Sequence, residues 1–486
     1  MPVIERDLAQ LAVDTALQRG ATYADARIIR LQTEQLDIRN GNVNGIKQHL
    51  EVGIGIRVLV DGAWGFAANP DLKKSKVEIA VDRAIALARD SAHLYHAPVV
   101  LARRAPIVTV WKSPCQIDPF GVSLEDKLGF LFEAEEEMRR VKGIAFTEAG
   151  MDLWKEWQLF VNSDGSQIEQ EIVQTGSGLS ATAVSDTDVQ TRSFPSSFGG
   201  QFKSAGYELI PTLNLKDNAQ RVAEEAVQLL TAKACPVGEK TLILGGSQLA
   251  LQVHESCGHP VEFDRVLGHE ADFAGTSFLT PEKRNNFQYG SEIVNIVADA
   301  TAPGGLGSFG YDDEGTPAQK SDIIKDGRFV GYLMSRETAE SNEMESNGAM
   351  RAQGWNHTPI VRMSNINLLP GDWELQAMIE STEDGIMVCD NRSWSIDDKR
   401  LNFQFGGELG WEIKGGKIVG MVKNPTYTGI TPQFWRSCDA IANQNHYQIW
   451  GTPNCGKGQP MQVARVGHGV SYARFQNVKV GVGYAE

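Results

Sequence analysis

The chain has 486 residues, 42% of them hydrophobic and 22% charged, the composition of an ordinary soluble globular protein of roughly two to four domains. Its 61 acidic residues outnumber 46 basic ones for a net charge of −15, which argues against a general binder of the nucleic-acid phosphate backbone but not against a local basic groove. The six cysteines, at 115, 235, 257, 389, 438 and 455, form no C-x-x-C pair and so no disulfide scaffold.

The opening "MPVIERDLAQLAVDTALQRGA" is a charged amphipathic helix without the apolar stretch and cleavage site of a signal peptide. No run reaches the roughly 18 apolar residues of a membrane span. A cytoplasmic, reduced protein with no membrane and no nucleic-acid partner is expected. In the first helix Ile4, Leu8, Leu11 and Thr15 recur at helical spacing, and Gly20 marks its stop. Strand-like runs "YADARIIRL" and "TEQLDIRNG" follow. In "LEVGIGIRVLVDGAWGFAA", Val52, Ile54, Ile56, Val58 and Val60 share one strand face, and Asp61-Gly62 signals a two-residue hairpin. Residues 72–95 read as a second helix, so a sheet with flanking helices is expected.

Pro98, Pro106 and Pro114 mark a linker. A helix at about 123–142, strands turning at Asp164-Gly165 and an amphipathic helix at 215–233 come next. Pro236 and Gly238 break the chain. From residue 240 the pattern is strand, Gly-Gly turn and a helix capped by Ser247, with Leu249, Val253 and Cys257 as its buried face. Hairpins at Asp326-Gly327 and Gly415-Gly416, and the alternating "RLNFQFGG", complete a strand-rich second half.

The chemistry concentrates in "QVHESCGHP", residues 252–260. Zinc proteases carry H-E-x-x-H on a helix, where residues four apart share a face. Here His254 and His259 are five apart, too wide for a regular helix, so both reach one ion only at an overwound or bulged turn or at a helix end. Gly258 and Pro260 bracket His259 and favour such a distortion. Cys455, in the Gly- and Pro-rich "GTPNCGKGQPMQ", is a second candidate, with Lys457 nearby to favour a zinc-binding thiolate. Asp264 and His269 are reserve ligands, and His446 and His468 flank the Cys455 loop. In "APGGLGSFGYDDEGTP", Gly305, Gly307 and Gly310 have G-x-G-x-x-G spacing, but no helix follows to hold a dinucleotide phosphate. Asp312, Asp313 and Glu314 of the same stretch are candidates to bind a cation or a peptide amino group.

The pairing of "HESCGH" with the distant "NCGKGQPMQVARVGHGVSYARFQNVKVG" resembles the TldD/PmbA family of metallopeptidases, and "GATYADARI", "YDDEGTP", "HTPIVRMSNINLLPG" and "FGGELGWEIKGGKIVG" extend the likeness along the chain. The metal motif and the late cysteine make it similar to the TldD type; PmbA-like (TldE) members lack the motif. A Gly usually follows the motif in the family, whereas Pro260 stands here. The resemblance implies an α+β fold, with an N-terminal α/β region of sheets and flanking helices ahead of a large strand-rich catalytic domain. On the breaks above it divides into 1–105, an N-terminal α/β domain; 106–235, a middle α/β segment; and 236–486, a β-rich metallopeptidase domain. It also implies His254, His259 and Cys455 as Zn2+ ligands, Glu255 as general base, and a heterodimer with a PmbA/TldE-like paralogue (or a homodimer) acting on unfolded or extended peptide. Asp312, Asp313, Glu314 and His468 are the expected substrate contacts. Two other classes remain open: a hydrolase with Cys455 as nucleophile, and a non-catalytic peptide-binding or regulatory protein.

Overall fold

A computed structural model describes residues 3–342 and 344–481. The fold is α+β. Strands Tyr23–Arg39, Asn42–Val60 and Ala63–Asn69 form an antiparallel meander. The two runs expected at 23–31 and 33–41 are thus one continuous strand. Asp61 and Gly62 both take positive φ, 52° and 77°, as the tight hairpin requires. Strands Ile144–Asn162 and Gln167–Val184 extend the same sheet, and Val108–Lys112 closes its edge. The sheet therefore runs across residue 105, so the division into 1–105 and 106–235 is retained only as a proposed organisation.

One face of this sheet is apolar. Ile54, Ile56, Val58 and Val60 are buried there with Ile28, beneath helices Val3–Gln18 and Lys74–Ser91. Further along, Leu36, Ile38, Met151 and Leu153 lie beneath Leu124–Arg139 and Leu215–Thr231. The period-2 alternation puts Asp25, Arg27, Gly53, Gly55 and Arg57 on the opposite face. That face meets the C-terminal half. Gly53 gives room to the Trp355 ring: a Cβ on it would lie 2.3 Å from the ring carbon Cδ2.

The C-terminal half centres on a ten-stranded sheet, with Gly238–Leu244 parallel to Asp384–Val388 and antiparallel to Ala473–Val480. The hairpin Asn391–Ile396/Asn402–Gly407 forms one end. A four-stranded sheet and the hairpin Gln448–Lys457/Gln462–Val470 pack beside it. Among the described residues no helix is long and apolar enough to cross a membrane.

The two halves are clasped by buried charges from the YDDEG turn. Arg57 lies 2.8 Å from Asp25 and 3.2 Å from Glu314, and Arg27 lies 3.4 Å from Asp313. Arg57→Met leaves two buried carboxylates without their cation, so it should lower stability by about 3–5 kcal/mol in a urea titration. A conservative surface change such as Arg140→Lys should cost a small fraction of that.

Candidate metal centre

The helix that delivers the motif, Gly246–Val253, is buried on every side from Ser247 onward, so the one-sided apolar face expected from Leu249, Val253 and Cys257 is part of a fully enclosed element. Its N-cap is Gly245 rather than Ser247, whose hydroxyl is buried without a hydrogen-bond partner. At His254 the α-helix widens into a π-turn, His254–Gly258, closed by the His259 N–H donating to the His254 carbonyl. A turn closed by an i→i+5 bond brings residues five apart to one side. The distortion is thus a widening, not an overwinding. The 3-10 turn His259–Val261 follows, with Pro260 inside its first turn, where a missing N–H costs nothing. Gly258 is needed for space: a Cβ would lie 2.0 Å from Met363 Sδ.

Cys455 arrives from a strand, not from the expected loop. It lies on Gln448–Lys457, opposite Ala464 and just past a bulge in the register. Its Sγ lies 3.4 Å from His254 Nε2 and 3.6 Å from His259 Nε2. The three donor atoms lie within 4.8 Å of one another, and all three residues are buried. Ligands at zinc–nitrogen and zinc–sulfur distances around a tetrahedral ion are separated by about 3.5 Å. The two sulfur–nitrogen separations match this value, and the donor set fits zinc in chemistry.

The surrounding groups prepare these donors. Burial holds His254 below the usual imidazole pKa and His259 well below it, so both are neutral, as ligands must be. Burial pushes the Cys455 thiol up, but the groups around it, the Arg362 guanidinium among them, more than reverse this and leave it below its ordinary value. Arg362 also donates to the Cys455 carbonyl at 2.6 Å. Lys457, expected to favour the thiolate, instead lies 2.6 Å from Asp264 and 3.8 Å from Glu270. Asp264 is thereby occupied and no longer free to serve as a reserve ligand. His269 is exposed, His446 lies beside Glu374, and Cys257 is core beside Tyr289.

Glu255 lies in the π-turn, and its Oε2 is 2.5 Å from Arg400. The Asp312–Glu314 turn does not join the metal cluster, and its oxygens are occupied. Asp312 accepts the N–H groups of Glu314, Thr316 and Met350, and burial pushes its carboxyl up to about 7. Asp313 accepts from Gln158 and Ala352. The turn clasps the two halves. His468, also expected to touch substrate, is fully buried behind His254. Sequence reasoning missed Glu262, Arg362 and Arg400. Only Glu262 had a local signal, three residues after His259, where a helical turn brings it alongside.

An enclosed His–His–Cys cluster with an adjacent glutamate, on this α+β scaffold, has the donor chemistry of a metal-dependent hydrolase. Residues 238–482 match the PmbA/TldA metallopeptidase C-terminal domain, residues 24–88 domain 1 and residues 117–233 the central domain. The chain belongs to this TldD/PmbA family and is a metalloprotease. The metalloprotease MJ0996 of Methanocaldococcus jannaschii is 30% identical over 91% of this chain and 94% of its own. A zinc metalloprotease TldD homolog of Saccharolobus solfataricus is 21% identical over 96% and 98%. The solved structure of TldE from Thermococcus kodakarensis shares the fold, with a TM-score of 0.73 at 16% identity, covering 98% of this chain and all of that one.

Gly258→Ala should force Met363 aside and cost about 1–3 kcal/mol through overpacking. Adding Met363→Val should restore part of that loss, read from urea denaturation in the presence of a chelator.

Proposed function

We propose that this chain is a zinc-dependent peptidase of the TldD type, cleaving unfolded or extended peptides. His254, His259 and Cys455 would hold the ion, with Glu255 as general base. The observation that carries this reading is the approach of Cys455 Sγ to both histidine Nε2 atoms, 3.4 and 3.6 Å. Bound there, zinc supplies Lewis acidity, which polarises a scissile carbonyl and acidifies water. Glu255 is anchored at one oxygen by Arg400 and, among the described residues, makes no hydrogen bond at the other, Oε1. Oε1 takes the proton of the attacking water and later passes it to the leaving amine.

The strand Asn391–Ile396 is the outer strand of the ten-stranded sheet, and residues 392–395 are exposed. The turn after it carries Arg400 to Glu255. A peptide adding to this edge by main-chain hydrogen bonds would run toward the base with little demand on its sequence. The shared fold with TldE supports a PmbA/TldE-like paralogue as partner, a homodimer being the alternative. The net charge of −15 supports a protein that does not engage nucleic acid, and a cytoplasmic location completes the reading.

The direct test purifies the chain with its paralogue, measures bound zinc and assays an unstructured peptide. Glu255→Gln should keep full zinc occupancy and lower kcat by about 10²- to 10⁴-fold. Cys455→Ala should lose both metal and turnover; a Cys455→Ala protein with full zinc would refute the ligand set. The Cys455–His254 contact also favours a thiol nucleophile. That reading requires activity to survive removal of zinc by a chelator, whereas the metal reading requires its loss and its return with added zinc.

A further inference from the structure

Resting on the metal centre proposed above, we infer that His468 is a positioning residue that fixes the tautomer and orientation of His254. His468 is on the strand Gln462–Val470, paired with the strand that carries Cys455, and it has no exposed surface. Its Nδ1 lies 3.2 Å from the Ile366 carbonyl oxygen, and its Nε2 lies 2.7 Å from His254 Nδ1. A carbonyl oxygen can only accept, so His468 Nδ1 carries the proton and donates it to Ile366. A neutral imidazole has one N–H, so His468 Nε2 is a bare acceptor. The 2.7 Å contact then requires the proton on His254 Nδ1. His254 Nε2 is left with its lone pair, facing Cys455 Sγ at 3.4 Å.

Direction thus passes from a main-chain carbonyl through one imidazole to a second. His259 reaches the same state by another route, since its Nδ1 lies 2.8 Å from the Glu262 carboxylate, itself held by the Met363 N–H. The two ligands are therefore oriented by unlike partners, one neutral and one anionic. Partners of this kind around metal-bound histidines are worth about 10- to 100-fold in metal affinity. One hairpin consequently supplies both a ligand, Cys455, and the group that aims a second ligand.

The test compares zinc affinity of the full-length protein, by competition with a chromophoric chelator, in wild type, His468→Leu and His468→Gln. Leu can neither donate nor accept. Gln can donate its amide to Ile366 and present its carbonyl to the His254 Nδ1–H. The expected result is an affinity lower by about 10- to 100-fold for Leu and restored to within a few-fold by Gln. The Co2+-substituted protein should show shifted d–d bands for Leu and near wild-type bands for Gln. If Leu does not fold, as judged by circular dichroism in chelator, His468→Asn takes its place, because the shorter amide cannot span both partners. Wild-type affinity and an unchanged cobalt spectrum in the Leu or Asn protein would overturn the inference while leaving the metal centre standing. A wild-type protein that binds no zinc would overturn the metal centre itself.

Discussion

The hydrogen bond from the His259 N–H to the His254 carbonyl is the constraint on which the site depends. On an undistorted helix, five residues carry a side chain well past the face of the first. Closing the turn one residue later returns it to that face. The surroundings fit closely around this widened form. Met363 fills the space beside Gly258, and the preceding helix is enclosed and cannot rotate to compensate. Pro260 suits the tight turn that follows because its ring occupies a position whose N–H has no partner to lose. The extra residue relative to the familiar zinc-protease spacing is accommodated by backbone geometry rather than by a longer reach of either side chain.

Charge around the cluster divides into two sets. Lys457 and Arg265 face Asp264 and Glu270, two cations on two anions, and close a balanced floor that offers no free ligand. Arg362 and Arg400 act differently. Arg362 is buried on the carbonyls of Cys455 and Gln462, without a carboxylate partner among the described residues. It therefore leaves positive potential beside the Cys455 thiol. Arg400 fixes one oxygen of Glu255 and leaves the other available. The proposed thiolate ligand and the proposed glutamate base thus each have their own cation in a buried pocket.

What the sequence disclosed was mostly local. Tight turns at Asp61-Gly62, Asp326-Gly327 and Gly415-Gly416 were readable because each needs two residues with positive φ, and all six residues have it. The alternation from Val52 to Val60 was readable because one face meets apolar helices. The other face was not, because Asp25, Arg27 and Arg57 look like solvated charges until the YDDEG turn is laid over them from some 250 residues away. That same distance made Asp312, Asp313 and Glu314 look like a vacant acidic turn. Cys455 was a candidate thiolate from its own Gly- and Pro-rich stretch, and the family resemblance is what tied it to the two distant histidines. Its neighbours in sequence suggested a loop and a lysine partner, whereas pairing with residues 462–470 made it a strand and sent Lys457 elsewhere. Arg400 had no signal at all, since it reaches Glu255 across a hairpin of a separate sheet region.

The hairpin that carries Cys455 also touches the N-terminal sheet. Gly451 N–H donates to Gln201 Oε1 at 2.9 Å, and Arg465 pairs with Glu156 at 3.2 Å. An ion held by all three donors binds the docked arrangement of the two halves in preference to any arrangement in which that hairpin has moved. By mass action the ion then stabilises docking, and docking in turn raises affinity for the ion by the same factor. Metal supply and interdomain closure become a single coupled equilibrium. Residues such as Gln201 and Glu156, far from any donor atom in sequence, would then contribute to how tightly such an ion is retained.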